Sequence, residues 1–200
     1  MTRLVDRDEA ARLLAAGAVV AVPTDTVYGV AASLAFPAAV TSLFALKRRP
    51  GSVPLPVLVN SLDQIDRLAV AWPDAARRLS HAFWPGPLTI IVPGAEDLAA
   101  MLGSADGSVG FRHPDDAVVD ALIAVCGPLA VTSANSHGET ACTSALGVLE
   151  VFSGRGELAG VLDDGPRARE VSTVVVLSES PWRIAREGAI TRAALSDVLG

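Results

Sequence analysis

Apolar runs of strand length recur along this chain, each followed by proline or a polar cluster, and helical stretches fall between them. Ala18 to Val22 is closed by Pro23, Leu129 to Thr132 opens into a polar loop, and Thr173 to Leu177 repeats the theme near the C-terminus. Strand and helix signals interleaved to the end lead to a sheet with helices packed on it. No apolar run approaches the length of a bilayer span, and the longest candidate, Gly17 to Val22, is strand-length.

Local signals predict the remaining elements. Asp6 with Glu9 makes a capping-box start to a helix through Ala16, which Gly17 ends. Pro37 suits the first position of a helix to Leu46. Helices are expected from Ser61 to Leu68, Asp74 to Phe83, Asp115 or Asp116 to Val125, Ser144 to Phe152, and onward from Thr191. Strands are expected at Pro56–Val59, Leu88–Val92, Ser108–Arg112, Val161–Asp163 and Trp182–Ala185. With no repeat or linker, the chain reads as one domain over residues 1–200.

Composition excludes several classes. Half the residues are hydrophobic and the formal net charge is −6, so nonspecific binding along a nucleic-acid backbone is disfavoured. Cys126 and Cys142 have no metal or CxxC spacing and read as reduced thiols. Charged residues before the first apolar run argue against a signal peptide, so a cytoplasmic location is expected. Lys47 is the only lysine, within the basic run Lys47-Arg48-Arg49-Pro50. Lysine is a compact point charge suited to phosphate oxygens. The run is equally a helix C-terminus favoured by the helix dipole.

Polar loops at strand ends are where open sheets place ligands. Pro23 to Gly29 gathers Thr24, Asp25, Thr26 and Tyr28, either to grip an amino acid or hydroxylated ligand or to close a turn. Thr132-Ser133-Ala134-Asn135 follows a strand and can contact phosphates through amides and hydroxyls. It matches neither a P-loop nor a nucleophile elbow. Phe83 to Thr89, with two prolines around Gly86, reads as a stiff structural turn. Arg112, ending its strand, either holds a carboxylate bidentately or pairs with Asp115 or Asp116.

In this order these segments resemble the YrdC-like family of threonylcarbamoyl-AMP synthases. The resemblance runs from about Leu13 to Ile190 through PTDTVYG (Pro23–Gly29), KRRP (Lys47–Pro50) and WPGPLT (Trp84–Thr89). It continues through the strand ending in Arg112, TSAN (Thr132–Asn135), STVV (Ser172–Val175) and R-x-G-A-I (Arg186–Ile190). It implies an α/β fold of mixed α+β character: a twisted mixed sheet flanked by helices, with a deep positively lined cleft. The implied reaction joins L-threonine, bicarbonate and ATP into L-threonylcarbamoyl-AMP and pyrophosphate, for N6-threonylcarbamoyladenosine formation in tRNA. Thr24, Thr26, Arg112 and Ser172 would hold threonine. Lys47, Arg49, Ser108, Thr132, Ser133, Asn135 and Arg186 would hold the nucleotide, with Mg²⁺ on the polyphosphate. Possible partners are tRNA and the downstream threonylcarbamoyl-transfer proteins. No general base and no protein metal ligand is assigned.

Three positions depart from the family pattern. Val53 precedes Pro54 where Lys or Asn is common, His137 replaces the second serine of SANxSG, and Glu187 replaces the proline of an R-P-G turn. Longer relatives carry a further C-terminal domain, and this chain is expected to end near the catalytic domain's end. Two alternatives are a non-catalytic tRNA- or double-stranded-RNA-binding relative, against which the acidic charge counts, and a carbamoyl-adenylate enzyme of the hydrogenase-maturation kind. The latter's zinc-finger-like and acylphosphatase regions have no counterpart in the sequence.

Overall fold

The computed structural model describes residues 2–48, 53–69, 71–136, 138–167 and 170–200. Strand β1 (Leu4–Val5) leads into helix α1 (Arg7–Ala15), where Asp6 accepts from the Glu9 amide at 2.8 Å, as the capping spacing predicts. After Gly17, at φ +79°, comes β2 (Val19–Val22), buried along its length. β3 (Gly29–Ser33) follows the first polar loop, and α2 (Pro37–Lys47) begins on its proline and ends at Arg48 in the left-handed region. Next come β4 (Val57–Leu58), the short α3 (Leu62–Ile65), α4 (Asp74–Phe83) and β5 (Leu88–Pro93). α5 (Glu96–Met101), β6 (Ser108–Arg112), α6 (Ala117–Cys126) and β7 (Leu129–Ser133) complete the middle of the chain. α7 (Ala145–Val151), β8 (Leu158–Leu162), β9 (Thr173–Val176), β10 (Arg183–Arg186) and α8 (Arg192–Leu199) end it.

The ten strands form one sheet in the order β1-β8-β2-β3-β7-β4-β6-β5-β9-β10. It is mixed: β8 runs parallel to β1 and β2, β4 to β6 and β5 to β9, while the other neighbouring pairs are antiparallel. Three elements were not expected: β1, β3 and α5. β3 is rich in small residues and is defined by its pairing with β2 and β7 rather than by β-branched content. β8 starts earlier than the expected Val161, because its register with β2 begins at Leu158.

Alternation along each strand divides side chains between two faces. On one face Val30, Val57, Ile90, Phe111, Ala130 and Val175 pack with Leu43 of α2, Leu79 of α4, Leu98 of α5 and Val148 of α7. On the other, Val20, Ala31, Leu58 and Val131 pack with Leu14 of α1 and Leu122 of α6. Among the described residues this second core takes nothing from β5, β6 or β9. There the same face carries Thr89, Ile91, Gly110, Arg112 and Val174, which line a cleft of about 560 Å³. The cleft therefore arises where α1 and α6 leave one face of the sheet uncovered.

Candidate active site

The loop from Pro23 to Tyr28 forms one wall. Thr24 Oγ1 donates to the Val27 carbonyl at 2.7 Å, accepts from the Thr26 amide at 3.2 Å, and lies 3.1 Å from Thr26 Oγ1. Tyr28 is fully buried; its hydroxyl donates to Gly165 O at 2.8 Å, and burial is the main cause that raises its pKa. The Tyr28 amide donates to Cys142 O, and its carbonyl accepts from the Ala134 amide, tying this loop to the turn after β7. A Cβ on Gly29 would lie 2.7 Å from Val131 Cγ1, so only glycine lets β3 pass β7 this closely.

Arg112 reaches the same wall from β6. Its Nη2 donates to Asp25 Oδ1 at 2.6 Å, Nη1 to Thr26 Oγ1 at 3.3 Å and Nε to Gly86 O at 3.1 Å. Arginine has five N–H donors, so one remains on each Nη for a ligand in the cleft that Arg112 lines. Burial pulls the Arg112 pKa below its ordinary value, and the neighbouring Asp25 opposes the shift. The alternative of an ion pair with Asp115 or Asp116 is not realised. Asp116 instead caps α6 through the Val118 and Val119 amides and pairs with Arg167 at 3.4 Å.

Across the cleft, Arg186 donates through Nε and Nη2 to Ser172 O, at 3.0 and 2.8 Å, and through Nη2 to Ser172 Oγ at 2.8 Å. Ser172 Oγ lies 3.1 Å from Thr89 Oγ1. Arg186 has no carboxylate partner among the described residues, and burial, with a smaller contribution from Arg112, holds its pKa below the usual arginine value. A guanidinium without a carboxylate partner among the described residues, lining the same cleft as a second guanidinium, favours an anionic ligand.

Lys47 is 2% exposed and stands behind the cleft surface. Its Nζ donates to Ser133 O at 2.5 Å and Asn135 Oδ1 at 2.9 Å, and lies 3.2 Å from Thr132 Oγ1 and 3.3 Å from Ser133 Oγ. Asn135 in turn donates through Nδ2 to Ser136 O and Glu139 O, at 2.9 and 2.7 Å. The lysine thus organises the turn, and Thr132, Ser133 and Asn135 present it to the cleft.

Of the predicted site residues, Thr24, Thr26, Arg112, Ser172, Thr132, Ser133, Asn135 and Arg186 all line this one cleft, and Lys47 is bonded directly to it. Ser108 shares the cleft face of β6 by alternation but is not part of the lining; its hydroxyl donates to Asp106 at 2.7 Å and closes the preceding turn. Arg49 and His137 lie outside the described residues. Thr89 and Glu139 had no predicted part in the site, while Asp25, expected within the gripping loop, is taken up by Arg112 and is not among the lining residues. Among the described residues, Glu139 is the only carboxylate residue lining the cleft. Thr89 was legible in principle, since it ends the WPGPLT segment and faces the same side as Ile91.

A family model named for Sua5, YciO and YrdC and described as telomere recombination matches residues 12–188. The chain belongs to this family. Within the Sua5/YciO/YrdC family, a provisionally named threonylcarbamoyl-AMP synthase of Mycobacterium leprae is 41% identical over 204 residues, covering 98% of this chain and 91% of that protein. The threonylcarbamoyl-AMP synthase of Bacillus subtilis is 36% identical over 195 residues, covering 96% of this chain and 56% of that protein. The crystal structure of Pyrococcus abyssi Sua5 complexed with L-threonine superposes with a TM-score of 0.90 at 33% identity, over all of this chain and 60% of that one. The chain thus spans about three-fifths of these two longer relatives. Escherichia coli YciO, at 18% identity and a TM-score of 0.83, shares the fold.

Proposed function

We propose that this protein is an L-threonylcarbamoyladenylate synthase, converting L-threonine, bicarbonate and ATP to threonylcarbamoyl-AMP and pyrophosphate. The observation that carries the reading is one cleft joining two polar ends. Arg112 with Thr26, backed by Thr24, suits an amino acid, while Arg186 and the Lys47-organised turn suit a nucleotide. The names of the relatives support the same chemistry.

Bicarbonate takes up the proton that the threonine ammonium gives up and loses water, and the freed amine adds to the resulting CO₂ while its nitrogen releases a second proton to solvent. A carbamate oxygen then attacks the α-phosphorus of ATP, and pyrophosphate leaves. Positioning and charge neutralisation suffice for such a step. Arg112 holds the threonine carboxylate through its two remaining N–H groups. Arg186 offsets charge at the phosphates, and the turn at 132–135 cradles them.

Mg²⁺ enters as part of the ATP substrate. Bound with ATP, it would take phosphate oxygens and water as ligands, as is usual for Mg²⁺, and would supply charge neutralisation at the phosphates. The product passes to tRNA through threonylcarbamoyl-transfer proteins. No helix among the described residues is long and apolar enough to cross a membrane.

The test is pyrophosphate release on mixing the protein with ATP, bicarbonate and threonine. Release that requires both threonine and bicarbonate supports the reading; release from ATP without threonine contradicts it.

A further inference from the structure

The hydroxyls in the cleft differ in whether their hydrogen-bond polarity is fixed. A threonine hydroxyl has one proton to donate and two lone pairs to accept with. Thr24 spends its proton on the Val27 carbonyl, which can only accept, at 2.7 Å. The 3.1 Å contact between Thr24 and Thr26 must then use the Thr26 proton. With the Thr26 amide also donating to it at 3.2 Å, Thr24 Oγ1 has both lone pairs engaged. Thr26 Oγ1 accepts from Arg112 Nη1 at 3.3 Å, which leaves it one lone pair and no proton. Thr89 and Ser172, by contrast, lie 3.1 Å apart with either able to donate, so that pair can turn one O–H toward a ligand.

From this we infer that Thr24 is a positioning residue that turns Thr26 into an obligate acceptor, so that Thr26 recognises the substrate's α-amino N–H. Building on the amino-acid reading of the cleft, the inference names the group on the substrate that Thr26 meets. Carboxylate oxygens cannot bond to a hydroxyl whose proton is committed elsewhere, so the carboxylate is left to Arg112. The amino N–H also survives the chemistry. The ammonium loses one proton to become the amine, the amine forms its bond to carbon and sheds a second proton to solvent, and the carbamate nitrogen keeps one hydrogen. An acceptor-only Thr26 can therefore hold the nitrogen from ground state to carbamate without reorganising, whereas a freely rotating hydroxyl could turn its own proton against the ammonium.

The test pairs a protein change with a ligand change. Calorimetry compares L-threonine with (R)-3-hydroxybutyrate, which keeps the carboxylate and hydroxyl and lacks the amine. The unmodified protein is expected to prefer threonine by about tenfold or more, the scale of one hydrogen bond to a charged group. Thr24→Val frees the Thr26 proton and should weaken threonine about tenfold while changing 3-hydroxybutyrate by less than about twofold. Thr24→Ser keeps the committed proton and should restore the preference. Equal weakening of both ligands by Thr24→Val, with or without rescue by serine, would mean that Thr24 merely shapes the loop and would overturn the inference alone. Failure of the unmodified protein to bind threonine would overturn the amino-acid reading along with it.

Discussion

Arg112 Nη2 donates to Asp25 Oδ1 at 2.6 Å, with the two side chains only 8% and 2% exposed. The pair joins the end of β6 to the loop after β2 and fixes the guanidinium plane. Removing one member of a buried pair strands the other charge and costs about 3–5 kcal/mol. Asp25→Ala should therefore lower the unfolding free energy from urea titration by that order, with a correspondingly lower midpoint. Replacing both residues at once, as Asp25→Leu with Arg112→Met, should recover much of the stability and none of the threonine dependence. A fully stable Asp25→Ala protein would contradict the coupling.

Lys47→Ala removes the ammonium from beneath the 132–135 turn. Hydrogen bonds to a charged group contribute about 1.5–3 kcal/mol each, and here several acceptors lose their donor together. Calorimetric ATP affinity should fall about tenfold or more. Threonine affinity should change far less, because Arg112 and Thr26 have no hydrogen bond to Lys47. Intact ATP binding in the variant would remove Lys47 from the nucleotide site.

A Cβ on Gly188 would fall 2.2 Å from Val171 O and 2.7 Å from the Ser172 carbonyl carbon. Gly188→Ala must therefore push the chain away from the start of β9, which carries the Arg186 contacts to Ser172. We expect a lower melting temperature and a raised KM for ATP. Unchanged values for both would show that the segment moves aside without cost.

Asp106 accepts from the Ser108 hydroxyl and amide and from the Ser104 hydroxyl, and its pKa is lowered from 3.8 to about 2, the Ser108 hydroxyl bond being the largest cause. A carboxylate depressed in the folded state stabilises above its unfolded pKa, and that stability is lost as pH falls through the folded value. Stability should thus decline from about pH 4 toward pH 2, and Asp106→Asn should flatten that limb. An identical acid limb in the variant would show that other carboxylates set it.

Much of this site was legible because its motifs sit at strand ends and match a family in order. The partner of Arg112 was not. Asp115 and Asp116 are its neighbours in sequence, yet Asp116 is held by the α6 amides and Arg167, while Asp25 arrives from a loop 87 residues away. Ser108 was misleading for the opposite reason: its side chain serves a local turn through Asp106, a use that residue type alone does not reveal. Similarly, β3 reads as small residues after a loop and becomes a strand through pairing on both edges. The sheet order itself depends on such long-range pairings, which no window of sequence contains.

The central claim is that threonine and the triphosphate share one cleft, and a crystal structure with L-threonine and a non-hydrolysable ATP analogue tests it most directly. Density should place the threonine carboxylate on Arg112 and its amine on Thr26, with the phosphates along residues 132–135 and toward Arg186. A nucleotide bound elsewhere on the molecule, or threonine out of reach of Arg112, would contradict the account.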